Sequence, residues 1–395
     1  MKFEWKEVEL AEIADLTVGF VGTMARHYTD KGVLFLRSTN IEPFNIKMDD
    51  IKYISPEFNE QIKKSELKTD DVVIVRTGKP GACTVIPPKD EPWNCSDLVV
   101  IHPNKEKVNP HYLAAYINLA SGVINAHLVG AVQQHFNVGT AKKMKVQLPS
   151  LEIQNKIASI IQGINSKIEL NNKINDNLEQ QAEALFKAWF FDYLPFGGEM
   201  SQEWTNSTIE ELASLVSRGI APKYTEDSDQ VVINQKCIRD HRIDLSLART
   251  HIPKKINEKW LQFGDLLINS TGEGTLGRTA QVWFNPEKMT VDSHVTIVRP
   301  KSKELIYYIG FWGLLHEREI ESLHTGSTGQ TELPRERIKS MELVLPDQET
   351  LAKFNAIVQP MTETVINNQV QNNKLAVLRD TLLPKLISGE IVNFK

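Results

Sequence analysis

The sequence predicts an α+β protein made of two tandem, pseudo-repeated domains. Each domain is followed by a long α-helix, and the two helices pair as an antiparallel coiled coil. Three observations carry this: an internal repeat, short β-branched runs that do not alternate regularly with helices, and two heptad seams with asparagine at matching positions.

The repeat comes first because it decides the architecture. Residues 1–195 and 200–395 follow one plan at an offset of 194 to 197 residues, as Thr77 to Thr271 and Pro149 to Pro346 show. Each copy opens on a Trp and an amphipathic turn, Trp5 and then Trp204. Tyr28-Thr29 answers Tyr224-Thr225, and a strand follows at 33–36 and again at 231–234. Asp71-Val72-Val73-Ile74 with Thr77-Gly78 answers Asp265-Leu266-Leu267-Ile268 with Thr271-Gly272. A strand closing on Pro103 or Pro300, a helical stretch around Tyr112 or Tyr308, a polar segment around Gln134 or Gln330 and a Leu-Pro entry to a long helix complete both copies. The predicted organisation is a globular domain at 1–148, a helical region at 149–195, a second domain at 200–345 and a second helical region at 346–395.

The helices carry their own signal. Ile161, Ile164, Ile168, Asn171, Asn175, Leu178, Ala182, Leu185 and Trp189 are spaced alternately three and four apart, the pattern of a coiled-coil seam. Moving on by 197 residues gives Val358, Met361, Val365, Asn368, Asn372, Leu375, Arg379, Leu382 and Leu386. Both asparagine pairs, Asn171 with Asn175 and Asn368 with Asn372, lie near mid-helix, where polar positions meet in an antiparallel pair. Asparagine at such positions lowers stability and fixes register. Gly163 and Pro360 predict a break after a short first helix, leaving a long helix over about 164–192, roughly 40 Å at ~1.5 Å per residue. Pro384 predicts an end or kink near the last turn of the second helix.

Bulk composition is that of a globular chain: 395 residues, 41% hydrophobic and 24% charged, with a net charge of −5. That balance does not advertise a nucleic-acid binder, so any phosphate-facing charge must be confined to particular faces. No apolar run reaches ~18 residues and the first residues do not open a signal peptide, which predicts a cytoplasmic protein with no membrane association. Cys83, Cys95 and Cys237 form no CxxC pair and cannot all be disulfide-bonded, which suits a reducing compartment and argues against structural zinc.

Signals for catalysis are weak. Residues 272–279 approximate a phosphate-binding loop, but Arg278 stands at the lysine position and 281–284 reads as strand where a helix is needed. No catalytic Asn/Asp-Pro-Pro-Tyr/Phe motif, AdoMet loop, His/Cys metal set or nucleophile elbow is present. No catalytic residue and no metal ligand is predicted.

The segment Glu183-Ala184-Leu185-Phe186-Lys187-Ala188-Trp189-Phe190-Phe191-Asp192 resembles the central region of type I restriction–modification specificity subunits. The segment from Leu378-Arg379-Asp380 through Ser388-Gly389-Glu390-Ile391 resembles their distal region. The resemblance in layout covers essentially the whole chain. It implies two target-recognition domains, each reading one half of an interrupted double-stranded DNA site, on a helical spacer that docks two methyltransferase subunits, with restriction subunits joining that core. It also implies no cofactor in this chain, the partner methyltransferase using S-adenosylmethionine. A coiled-coil scaffold without sequence-specific DNA reading is the competing interpretation.

Base reading needs paired donors and acceptors, and phosphate contacts need Lys, Arg, hydroxyls and backbone amides. Two loops per copy offer these at matching places. Arg76, Thr77 and Lys79 answer Ser270 and Thr271; Gln133, Gln134 and His135 answer Thr328, Gln330 and Thr331. Arg218, Lys223 and Tyr224 form a further candidate group in the second copy alone. Basic runs at Lys142, Lys143 and Lys145, and at Arg335, Arg337 and Lys339, read as phosphate-facing or simply solvated. Phe186, Trp189, Phe190 and Phe191 are too many for one seam position, so some are expected to cover the adjoining domain and others to meet a partner.

Overall fold

The computed structural model describes residues 5–78, 80–127, 137–272, 274–326 and 331–391. It forms two compact units, Met1–Leu170 with Gln371–Lys395, and Asn171–Val370. Each domain is followed in the chain by a long helix, and the unit boundaries cut across both helices, so each unit holds part of each.

In the first unit, Val72–Val75 is central in a four-stranded sheet, between Cys83–Val85 and Leu98–Pro103, with Ala14–Val18 on the far edge. All pairings are antiparallel. Period-two side-chain alternation divides the central strands between two cores. Val72, Ile74, Val99 and Ile101 face one cluster with Tyr112, Leu113 and Ile117 of the helix Pro110–His127. Val73, Val75, Leu98 and Val100 face the other, with Leu36, Leu67 and Cys95 of a second sheet. A strand covered on both faces must be apolar throughout, which explains the unbroken run Val-Val-Ile-Val. The second sheet pairs Val33–Leu36 in parallel with Trp93–Cys95.

The second unit repeats this order. Thr279–Gln281, Leu266–Asn269, Val295–Pro300 and Ala213–Arg218 form its four-stranded sheet, and Val231–Ile233 runs parallel to Met289–Val291. Leu266, Ile268 and Val298 face one core, Leu267, Val295 and Ile297 the other. Each unit is also closed by a two-stranded clasp, Lys6–Glu9 with Lys145–Leu148 and Thr205–Thr208 with Glu342–Leu345. Equivalent tyrosines pin each clasp: Tyr112 Oη donates to the Gln147 carbonyl at 2.5 Å, and Tyr308 Oη donates to the Val344 carbonyl. The duplication read from the sequence is thus a duplication of topology.

The long helices run unbroken over Leu151–Phe190 and Gln348–Ile387, 40 residues each, about 60 Å at ~1.5 Å per residue. The breaks expected at Gly163 and Pro360 do not occur. A single interior glycine costs only about 1 kcal/mol relative to alanine, and the buried Ile157, Ile161, Phe354 and Val358 hold the flanking turns in the cores. Pro360 is exposed, away from the seam, and Thr364 Oγ1 donates to its carbonyl at 2.8 Å. Pro384 lies in the last turn before the helix ends at Ile387.

Every predicted seam residue is buried or half-buried. In the second unit the halves run antiparallel: Asn175 meets Asn368, and further on Phe186 and Phe190 pack against Phe354. Phe186 and Phe190 are core residues, packed on Tyr308 as well, whereas Phe191 is 44% exposed. In the first unit, Arg379 at the seam donates to Asn165 at 3.1 Å and lies over the ring of Phe44.

Candidate nucleic-acid interface

Where the central strand leaves the sheet, each unit gathers polar groups at one end. Register defines the equivalence: Leu98 pairs with Val75, and Val295 with Asn269. Arg76 and Thr77 therefore correspond to Ser270 and Thr271, while Asp97 and His294, each just before its strand, also correspond.

In the first unit, Thr77 Oγ1 donates to the Asp97 carboxylate, and Arg76 Nη1 lies 3.6 Å from its other oxygen. Asp97 takes a left-handed conformation, φ 54°, which turns the chain into the strand. Arg76 is largely covered, and its buried Nε has no hydrogen-bond partner among the described residues. Lys79, Gln133, Gln134 and His135 lie outside the described residues.

In the second unit, Thr271 Oγ1 donates to Gln235 Oε1 at 3.0 Å and lies 2.8 Å from His294 Nδ1. Asn269 Nδ2 donates to the Gln235 carbonyl, and His294 N to Asp292 Oδ1. The Glu332–Leu333 segment, which follows the second loop proposed from sequence, also reaches this cluster. Thr271 bridges Glu332, and Leu333 N donates to the Ser270 carbonyl at 2.8 Å. Arg218 joins them, pairing with Glu332 and donating to the Leu333 carbonyl. Thr331 is half-buried beside this bridge; Thr328 and Gln330 lie outside the described residues.

One candidate is corrected outright. Ser270 is fully buried and shares its hydroxyl with Thr296 at 2.6 Å, so it supports the strand end and offers nothing to a ligand. Lys223 and Tyr224 sit on the other sheet: Tyr224 bridges His251, and the Arg249 guanidinium lies 3.7 Å from its ring centroid. Among the described residues no hydrogen bond or ion pair links them to Arg218, whose partners are Glu332 and Leu333, so the sequence group divides. Three of the six basic-run residues meet carboxylates: Lys145 pairs with Glu9, Lys339 with Glu210 and Arg335 with Glu336.

The loop 270–278 is a glycine hairpin. Gly272, Gly274 and Gly277 have positive φ, and the strand Thr279–Gln281 follows where a phosphate-binding loop needs a helix. That strand starts two residues earlier than the sequence suggested. All three cysteines are buried thiols, and burial pushes those of Cys83 and Cys95 far above the usual range. Among the described residues no helix is long and apolar enough to cross a membrane.

The chain thus holds two copies of one α+β fold, each presenting a polar loop cluster at the same sheet end. The chain belongs to the family described as the type I restriction modification DNA specificity domain, whose model matches it twice, over residues 3–180 and 201–376. It is 30% identical over 277 residues to the type I restriction enzyme MjaIX specificity subunit of Methanocaldococcus jannaschii, covering 64% of this chain and 62% of that protein. The match thus spans less than two thirds of that relative. The HindI specificity subunit of Haemophilus influenzae is 20% identical over an alignment covering 98% of this chain and all of the relative. The crystal structure of the S subunit from M. genitalium shares the fold at TM-score 0.58 and 14% identity, covering 98% of this chain and 96% of that one.

Proposed function

We propose that this chain is the specificity subunit of a type I restriction–modification complex, each unit reading one half of a bipartite double-stranded DNA target. The observation that carries this is the retained frame with exchanged rim: the same strand order in the four-stranded sheet of both units, and the same Thr-anchored loop position, holding Arg76 and Asp97 in one and Gln235 and His294 in the other. Two modules that read different half-sites need that combination.

The chain acts without chemistry of its own. Methylation belongs to two methyltransferase subunits docked on the helices and using S-adenosylmethionine, and cleavage to restriction subunits. The complex works in the cytoplasm. The seam asparagines, of which Asn368 Nδ2 donates to Asn175 Oδ1 at 2.9 Å, set the register of the helices.

The test is long-read methylation sequencing of a restriction-deficient host expressing this chain with its methyltransferase. Two short methylated halves around a fixed gap, present only with this chain, are expected. A continuous motif, or the same motif from the methyltransferase alone, would overturn the assignment.

A further inference from the structure

The Thr-anchored clusters differ in the hydrogen-bonding pattern they present, and the difference follows from proton counting. A hydroxyl has one proton. Thr271 gives it to Gln235 Oε1, so its contact with His294 Nδ1 requires the ring to donate from Nδ1. A neutral His294 then carries its lone pair on Nε2, and His294 is exposed. Gln235 accepts that proton at Oε1, and its amide hydrogens are left to donate. The second unit therefore presents an acceptor and a donor joined through one hydroxyl. In the first unit Thr77 spends its proton on Asp97, whose carboxylate only accepts, and the Arg76 guanidinium beside it only donates. The position equivalent to Gln235 is Ser38, so this unit has no amide there.

We infer that these clusters are base-reading positions of opposite preference: Gln235 with His294 reads an A·T pair, and Arg76 with Asp97 reads a G·C pair. Adenine offers N7 as acceptor beside the N6 amine as donor, matching an amide donor and an imidazole acceptor. A G·C pair offers guanine O6 and N7 beside the cytosine N4 amine, matching guanidinium and carboxylate. The threonine in each unit is a positioning residue that fixes the tautomer or the carboxylate. Arg76 Nε, buried and without a partner among the described residues, is consistent with a guanidinium held for a ligand. This inference rests on the reading that each unit contacts half of a DNA target.

The test uses the full chain assembled with its methyltransferase. Asp97→Asn and Gln235→Glu preserve side-chain shape while changing the hydrogen-bond pattern. Methylation sequencing is expected to show each variant altering or relaxing one base position, in different halves, with the gap and all other positions unchanged. Equilibrium binding to duplexes substituted one pair at a time is expected to show about 10–100-fold loss of preference at that pair alone. This second measurement also decides the case of a variant that binds but no longer methylates. Thr271→Ser keeps the hydroxyl and should keep the motif, whereas Thr271→Val should relax the same position as Gln235→Glu. An unchanged motif with either shape-preserving variant, or uniform weakening across all duplexes, overturns the inference. If the unaltered complex makes no bipartite motif, it is the functional reading itself that fails.

Discussion

Arg299→Met isolates a buried charge at a position the duplication has filled in two ways. Asp265 is 1% exposed and Arg299 12% exposed. The guanidinium donates from Nε to Oδ1 at 2.8 Å and from Nη2 to Oδ2 at 2.7 Å, and it also reaches the carbonyls of Glu258 and Trp260. Among the described residues, removing it leaves the carboxylate only the Gln262 backbone N–H at 2.8 Å. Breaking such a pair from one side costs about 3–5 kcal/mol, because the remaining charge stays out of water. Burial already pushes the Asp265 carboxyl above its usual range despite the arginine, so the site has no slack. In the first unit the equivalent pair is Asp71 with His102, Nδ1 to Oδ1 at 2.7 Å, with Thr17 at the other ring nitrogen. One hydrogen bond replaces two there, so His102→Met should cost less, about 1–3 kcal/mol. Urea unfolding followed by tryptophan fluorescence reports chiefly on the second unit, which holds Trp189, Trp204, Trp260, Trp283 and Trp312. A cycle with Asp265→Asn should show about 2–4 kcal/mol of coupling to Arg299. A loss below about 1 kcal/mol, or additive effects, would refute the reasoning.

The hairpin tips give a second contrast: Arg242 meets Asp176 at 3.0 Å and Glu179 at 2.6 Å, while Phe44, one residue before the equivalent position, packs under Arg379. Raised salt should speed amide exchange at Ile238–Ile243 and leave Ile41–Ile46 unchanged, since exposed pairs are screened; equal responses would contradict this. The hydrogen bond to Glu317 raises the His241 pKa above 6.5, and although burial acts to raise it, His241 and Thr279 hold the Glu317 carboxyl below its usual range. The His241 contribution is therefore complete below about pH 6.5 and fades as pH climbs through its folded value. Melting scans from pH 5.5 to 8.5 should show a decline that His241→Gln flattens. Asn368→Ala strands the oxygen of Asn175, which is 2% exposed, and should cost about 1–3 kcal/mol in urea unfolding. Restoring stability by adding Asn175→Leu is expected, and failure to do so would argue against the pair as a register device.

The frame was legible because periodicity and repetition report on burial directly. Val72–Val75 and Leu266–Asn269 read as strands since both faces are covered, and the helix seams placed asparagine against asparagine. Local rules misled where packing outweighed them, as at Gly163 and Pro360. The site was half visible. Thr77 and Thr271 stood out in the repeat, but Asp97, Gln235 and His294 did not, because they lie 20 to 36 residues from the threonines they bond. Parallel pairing of Trp93–Cys95 with Val33–Leu36, and of Met289–Val291 with Val231–Ile233, brings such residues together. A signal did exist: aligning the copies on the strands ending at Pro103 and Pro300 sets Asp against His just before the strand. Ser270 misled because its position beside Thr296 depends on strand pairing that the local sequence does not state.

The exchanges between the copies fall into two kinds, and the distinction bears on function. Inside the fold a contact survives with altered chemistry: Asp71 and Asp265 each keep a turn amide and a basic partner on the neighbouring strand, His102 in one case and Arg299 in the other. At the sheet end the anchor survives and what it presents changes. Thr77 and Thr271 persist, while Arg76 becomes Ser270, Ser38 becomes Gln235, Asp97 becomes His294 and Val18 becomes Arg218. A loop serving only as a solvated connection has no reason to keep a hydroxyl aimed at the residue before the strand while altering that residue. A reading surface does, because the anchor fixes geometry and its partners set which base edge is matched.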